Sequence, residues 1–269
     1  MTWLPRRTAL WRTTPGLCHG RPMTYCLAMR VDDGLVFLSD TRTNAGVDNV
    51  STYRKLFVFH PLPDRTIVLQ SAGNLATTQE VVDRIERDLA QPAGGESLAT
   101  VDHLFEAALY VGRHSVAVAN AHRNALGAVG ADGTSTFILG GQISGAPPDV
   151  FLVYPEGNYI RASEDRPFLQ IGETKYGKFL LELGTQADLS LDQAGKVALS
   201  SMISTARANL SVGPPYDLGI YHTGSHVIEH SRIDADTTYL RDLEEVWNRH
   251  LHLALAELPM VNADTTETL

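Results

Sequence analysis

The sequence predicts an α+β fold in which two antiparallel sheets stack face to face, with helices covering the outside of each. Three observations lead there. Strands and helices come in runs, two helices after the first set of strands and two more after the second, instead of alternating one for one. Successive strands are joined by connections of hairpin length, too short for parallel crossovers. The chain has 269 residues, 43% hydrophobic and 20% charged, an ordinary globular composition that can bury a substantial core without disulfides or metals.

The elements follow in order. An apolar strand starts at Thr24 and runs through Tyr25-Cys26-Leu27-Ala28-Met29. It turns at Asp32-Asp33-Gly34, returns as Leu35-Val36-Phe37-Leu38 and places Asp40 at its end. Residues 43–49 form a polar loop. Strands near 53–59, carrying Lys55, and 66–71 are separated by the turn Pro61-Leu62-Pro63-Asp64. Ser71-Ala72-Gly73-Asn74 closes the second of these and opens a helix, where Val81, Val82, Ile85 and Leu89 recur at helical spacing. Pro92-Ala93-Gly94-Gly95 is a break. A long Ala-, Leu- and Val-rich helix spans about 100–126, with Thr100 and Asp102 as caps and apolar residues on more than one face. Strands are expected near 134–142, 149–154, 158–162 and 167–172, the middle two forming a hairpin about Pro155-Glu156-Gly157-Asn158. Helices near 174–184 and 190–208 precede strands near 216–222 and 226–232, hinged at Thr223-Gly224-Ser225. The last helix, about 237–258, shows an apolar side of Leu240, Leu243, Val246, Leu251, Ala254 and Leu258. Residues 260–269 are a polar, flexible tail.

Composition excludes several functions. A net charge of −9 argues against general binding of nucleic-acid backbones. No apolar run approaches the roughly 18–20 residues that span a bilayer, so no membrane partner is expected. Cys18 and Cys26 have neither metal-ligand spacing nor a disulfide framework, which fits a reducing cytoplasm and no metal. Gly140-Gly141-Gln142-Ile143-Ser144-Gly145 lacks the Lys-Ser/Thr of a phosphate loop, and no cofactor is expected. His222, His226 and His230 straddle a turn and share no helix face. Residues 1–22 stand apart from the 23–259 domain: they hold Arg6, Arg7, Arg12 and Arg21 and no acidic residue. We favour a reading frame begun at the wrong methionine, ahead of a propeptide or a targeting segment. Met23 before the small Thr24 would serve as a start from which the methionine is removed.

Thr24, Asp40 and Lys55 suggest a chemistry. A free α-amine has an unperturbed pKa of about 7.7–8.0 and can take the proton of its own residue's hydroxyl as that oxygen attacks a carbonyl. A nearby lysine lowers that pKa by like-charge repulsion, and a carboxylate holds the lysine in place. Gly73, between a strand and a helix start, fits a backbone oxyanion donor. Each residue alone has a plainer reading: Thr24 as a β-former, Asp40 as a turn residue, Lys55 as a solvated strand residue, Gly73 as the small residue of a tight turn. Only the constellation favours chemistry.

Thr24-Tyr25-Cys26-Leu27-Ala28, Ser39-Asp40-Thr41-Arg42-Thr43-Asn44-Ala45-Gly46, Tyr53-Arg54-Lys55 and Ser71-Ala72-Gly73-Asn74-Leu75-Ala76-Thr77 resemble the proteasome β-subunit superfamily, and most closely its bacterial branch called Anbu. Ile171-Gly172-Glu173-Thr174-Lys175-Tyr176-Gly177-Lys178 and Asn209-Leu210-Ser211-Val212-Gly213-Pro214-Pro215 are similar to later signatures of that branch. The resemblance runs from Met23 to about Pro259. It implies a four-layer αββα sandwich, the fold of N-terminal nucleophile hydrolases, and self-association into a ring or helical multi-subunit assembly. It also implies a threonine peptidase acting on peptides or unfolded protein. Thr24 would be nucleophile and base, Asp40 and Lys55 its supporting pair, and Gly73 the oxyanion glycine. Gly172, Glu173 and Ser211 would fall in the supporting positions. Two departures stand out: Gly172-Glu173-Thr174 replaces a Gly-Ser-Gly turn, and Ala208-Asn209 stands where an aspartate precedes a serine. The alternatives on the same fold are an amidase of small substrates and a non-catalytic assembly subunit. No unfoldase partner is read from the sequence.

Overall fold

The structure, a computed structural model, describes residues 24–44, 50–91 and 95–260. The expectations for residues 1–22, for most of the 43–49 loop, for the break at 92–94 and for the tail beyond Met260 lie outside them. Strands β1 (Tyr25–Val31) and β2 (Gly34–Asp40) make the first hairpin. The short β3 (Arg42–Asn44) and β4 (Val50–Thr52) pair next, and β5 (Leu56–Leu62) and β6 (Arg65–Gly73) form a further hairpin. After α1 (Leu75–Ala90) and α2 (Leu104–Ala128) come β7 (Ser135–Ile143), β8 (Asp149–Val153), β9 (Tyr159–Arg161) and β10 (Phe168–Gly172). The chain ends with α3 (Lys178–Gly184), α4 (Leu191–Ala208), β11 (Tyr216–His222), β12 (Ile228–Ile233) and α5 (Thr238–Glu257). One five-stranded sheet has the order β10-β1-β2-β11-β12 and the other β5-β6-β7-β8-β9, all pairs antiparallel.

The period of two along each strand assigns side chains to layers. In β1, Tyr25, Leu27, Met29 and Val31 pack with Ala198, Leu199 and Met202 of α4, while Cys26 and Ala28 pack between the sheets. In β6, Ile67 and Leu69 pack with Val81, Ile85 and Val111 of the α1/α2 layer, while Val68 and Ala72 face inward. Strands apolar on both faces must be covered on both, and the result is helix, sheet, sheet, helix. This is the expected α+β sandwich.

Several boundaries differ from expectation, each for a local reason. The strand foreseen near 53–59 begins at Leu56, because Tyr53 is tied instead to the end of the β3/β4 pair, its N–H bonding the Thr41 carbonyl at 2.8 Å. The long helix begins at Leu104, not near 100. Ser97 to Val101 close a turn, and Glu106 reaches back to accept from the Asp102 and His103 amides, so His103 and not Thr100 or Asp102 is the cap. The β3/β4 pair was unforeseen, since strands of three residues carry little periodic signal. The expected apolar side of α5 is buried only at Leu240, with Leu243 and Trp247 partly covered. Val246, Leu251 and Leu258 are exposed. The foreseen helix start at Asn74 holds: its side chain accepts from the Thr77 amide at 3.1 Å.

Candidate active site

Thr24 sits immediately before β1 and is buried. It shares strand parity with Cys26 and Ala28, the residues packed between the sheets. The peptide that joins it to Tyr25 is held from both edges. The Thr24 carbonyl accepts from the Glu173 amide at 2.7 Å, and the Tyr25 amide donates to Asp40 Oδ1 at 3.0 Å. Pairing of β1 with β2 and β10, which sets Tyr25 opposite Gly172 and Cys26 opposite Ser39, brings these groups together.

Lys55 arrives from the other side. It immediately precedes β5, which is not a neighbour of β1 but the edge of the opposing sheet. Lys55 Nζ donates to Asp40 Oδ1 at 2.8 Å and to the Arg42 carbonyl at 2.6 Å. The pair is almost dry: Lys55 is 5% and Asp40 0% exposed. Burial pushes the Asp40 carboxyl up from its ordinary range, opposed by the Lys55 ammonium and its hydrogen bond and then by the Tyr25 amide. The Gly213 amide opposes it last, and Oδ2 has no hydrogen-bond partner among the described residues. Cys26, two residues after Thr24 in the chain, is no candidate nucleophile. Burial raises its thiol far above the neutral range, so it stays protonated.

These groups border a cleft of about 290 Å³, lined by Thr24, Thr43, Lys55, Ser71, Gly73 and Asn74 together with the first turn of α1. Gly73 ends β6 at φ 122°, a conformation that disfavours any side chain, and an added Cβ would approach the Thr134 carbonyl to 2.5 Å. The cleft thus collects a hydroxyl, an ammonium and the positive end of a helix dipole, a combination suited to attack on a carbonyl and to an oxyanion. A second hollow, about 380 Å³, is bounded by His60, Pro61, Leu62, Pro63, His226 and Val227 and holds no nucleophile. Among the described residues no group of three or more His, Cys, Asp or Glu could hold a metal.

The structure therefore brings Thr24, Asp40, Lys55 and Gly73 to one place. Gly172 and Glu173 meet Thr24 from behind, through its carbonyl, and are not on the cleft. Ser211 is a step further away, its amide donating to Asn209 Oδ1 at 3.0 Å. Two contributors were not singled out in the sequence. Arg42 offers its carbonyl to Lys55 while its guanidinium bonds the Leu210 carbonyl at 2.8 Å. Thr43 lines the cleft. A backbone acceptor has no side-chain signature, so only the position of Arg42 two residues after Asp40 hinted at it.

No family model matches the chain, and no curated protein does. Solved structures do. Anbu, the ancestral β-subunit, from Yersinia bercovieri is 43% identical with a TM-score of 0.83, over 89% of this chain and 99% of that one. Anbu from Hyphomicrobium sp. strain MC1 is 42% identical with a TM-score of 0.81, over 89% of this chain and 100% of that one. A helical assembly of the Anbu complex from Pseudomonas aeruginosa gives 42% identity and a TM-score of 0.85, over 90% and 100%.

Proposed function

The chain belongs to the Anbu family of proteasome β-subunit relatives, and from that premise we propose a hydrolase that cleaves amide bonds of peptides or unfolded protein, with Thr24 as an N-terminal nucleophile. The observation that carries this reading is the buried Lys55–Asp40 pair at the cleft that Thr24 and Gly73 also line. A hydroxyl does not ionise near neutrality unaided and needs a base within about 2.6–3.2 Å. With the segment before it removed, Thr24 carries that base on its own Cα. Oγ1 attacks the substrate carbonyl carbon, its proton passes to the α-amine, and the oxyanion lies at the Gly73 amide. The C–N bond then breaks, the amine's extra proton leaves with the departing nitrogen, and an ester to Thr24 remains. Water, deprotonated by the same amine, releases the acid. Lys55 depresses the amine's pKa by like-charge repulsion, so that it is a free base at working pH. Asp40 aims Lys55 and, through the Tyr25 amide, Thr24 itself.

A residue before Thr24 turns the base into an amide nitrogen, which has no lone pair to give. The active chain is therefore the one that begins at Thr24. It would work as a multi-subunit assembly, a reading supported by the helical assembly described for the Pseudomonas relative. We place it in the cytoplasm. No described helix is long and apolar enough to cross a membrane.

Intact mass, light scattering and turnover of a fluorogenic peptide, measured on one preparation, test this. Protein starting at Thr24 should form multi-subunit particles, turn over the peptide and be labelled by a threonine-directed electrophile. Thr24→Ala should lose turnover by roughly 10³-fold or more and still assemble. Protein that retains Met23 should fold and be inactive. Full activity with Met23 in place would overturn the reading, and a monomer at micromolar concentration would overturn the assembly.

A further inference from the structure

We propose that Glu173 and Asn209 form one hydrogen-bonded unit that positions the Thr24–Tyr25 peptide, and with it the nucleophile. The inference rests on the hydrolase reading for its effect on rate, but not for its geometry. A peptide gripped at both its carbonyl and its amide cannot rotate. Its grip therefore fixes the position of the Thr24 Cα, the atom that carries the α-amine and, through Cβ, Oγ1. Asp40 supplies one hand and is itself held by Lys55. The other hand is the backbone amide of Glu173, and the question is what holds that amide still.

Gly172 allows the approach. It stands at φ 85°, and a Cβ there would lie 1.8 Å from the Thr24 carbonyl oxygen, so only glycine lets β10 end against that carbonyl. The Glu173 side chain then anchors the turn. It is buried, 6% exposed, and both its oxygens accept from N–H donors: Oε1 from the Lys175 amide at 3.3 Å, Oε2 from Asn209 Nδ2 at 3.0 Å. Asn209 follows the last turn of α4, where its amide bonds the Thr205 carbonyl at 2.9 Å. Its Oδ1 accepts from the Ser211 amide, which orients the side chain so that its NH₂ must face Glu173. The carboxylate thereby ties the end of β10 to the end of α4, 36 residues further on. A hydrocarbon of the same shape would remove the acceptor that the Lys175 amide and Asn209 Nδ2 share at this turn. Acting through a backbone amide, Glu173 is a positioning residue and does not touch substrate.

The donor pattern gives a test by exchange. Glu173→Gln turns one acceptor into a donor and sets NH against NH, at Lys175 or at Asn209. Asn209→Asp sets carboxylate against carboxylate. Together, Glu173→Gln with Asn209→Asp reverses the bond. The side-chain amide introduced at position 173 accepts from the Lys175 N–H and donates to the carboxylate introduced at position 209, which still accepts from the Ser211 amide. In protein beginning at Thr24, each single change should lower kcat by on the order of 100-fold with KM little altered. The double variant should recover to within a few-fold of the parent. Hydrogen exchange of the Tyr25 amide, read in the full chain, should speed up in both singles and slow again in the double. Singles that match the parent in both readouts overturn the proposal, as does a double no better than the worse single. Should a single fail to fold, return of folding and exchange protection in the double supports it and their absence overturns it. If the parent itself neither turns over nor labels, the hydrolase reading fails while amide exchange still decides whether the pair holds the peptide.

Discussion

Between the two sheets the chain packs hydrocarbon in the middle and charge at one end, and the change happens along single strands. The inward faces read Ala28, Cys26, Thr24 toward the start of β1, Leu35, Phe37, Ser39 along β2, and Val68, Gln70, Ala72 along β6. Leu35, Phe37, Val68 and Ile138 are fully buried and need no partner. One or two residues further along, Ser39 Oγ, Gln70 Oε1 and Asp40 Oδ2 are equally buried and have none among the described residues. The first region follows the rule that buried groups are apolar or satisfied. The second breaks it beside the cleft that Thr24 and Lys55 line. Buried polar atoms without partners cost on the order of 1–3 kcal/mol each. Such atoms close behind a cleft, Asp40 bonded to its Lys55 and Gln70 preceding its Ser71 in the chain, are the pattern expected of a site assembled at the expense of stability.

The largest expected effect sharpens that contrast. Lys55→Met removes the cation that Asp40 faces, and it should lower turnover by roughly 10²–10⁴-fold. It should also destabilise the fold by about 3–5 kcal/mol, since a carboxylate is left buried and unpaired. Adding Asp40→Asn keeps an acceptor for the Tyr25 amide and removes the stranded charge. The double variant should regain the parent's denaturation midpoint or exceed it, while activity stays lost. A double variant as unstable as Lys55→Met alone would mean that the pair stabilises the sandwich, and the two regions would then differ less than their composition suggests.

At the centre the same kind of truncation should act on stability alone. Phe37 is fully buried, and its ring lies so close to Gly140 that an added Cβ there would meet it at 2.8 Å. Phe37→Ala should cost about 3–5 kcal/mol, seen as a lower urea midpoint. The folded fraction should keep its turnover per labelled Thr24. If turnover per site falls as well, the dry centre and the polar end are mechanically one body.

How legible all this was in the sequence follows the same division. The centre could be read because apolar alternation is strong: β1, β2, β6, β7 and β11 lie within a residue or two of their expected places. Gly73 and Asn74 were legible as a strand end and a cap. Thr24, Asp40 and Lys55 were legible as residue types in an order, but not as a geometry. Nothing local to Lys55 says that the strand it precedes, β5, belongs to the opposing sheet, since that depends on which edges pair. The Glu173–Asn209 bond was less visible still. It joins residues 36 apart and shows in the sequence only as two separate departures from the resembled pattern. The exposed side of α5 was read as apolar but not as uncovered, because amphipathicity shows which face seeks cover and not whether this chain supplies it.

The smallest expected effect concerns pH and separates activity from stability. On the proposed mechanism the α-amine must be unprotonated to act, so the logarithm of kcat/KM should fall with slope one below its pKa. Asp40 must be ionised to hold Lys55, and burial raises its carboxyl above the ordinary 3.8. Once the pH falls through that raised value the slope should steepen to two. The sign for stability is opposite. A carboxyl whose folded pKa is raised binds its proton more tightly in the native state than in the unfolded chain. Between the unfolded and folded values this group therefore makes the protein more stable as pH falls and less stable as pH rises. Acid should take the activity before it takes the fold. The comparison that isolates Asp40 is the parent against the double variant Asp40→Asn with Lys55→Met, which lacks the group. The difference in their urea midpoints should move in the parent's favour over the pH interval where the parent's rate profile steepens. A rate profile that keeps slope one down to the pH where the fold melts would show that the Asp40 carboxyl is not raised, and that the polar end is less costly to the fold than its burial implies.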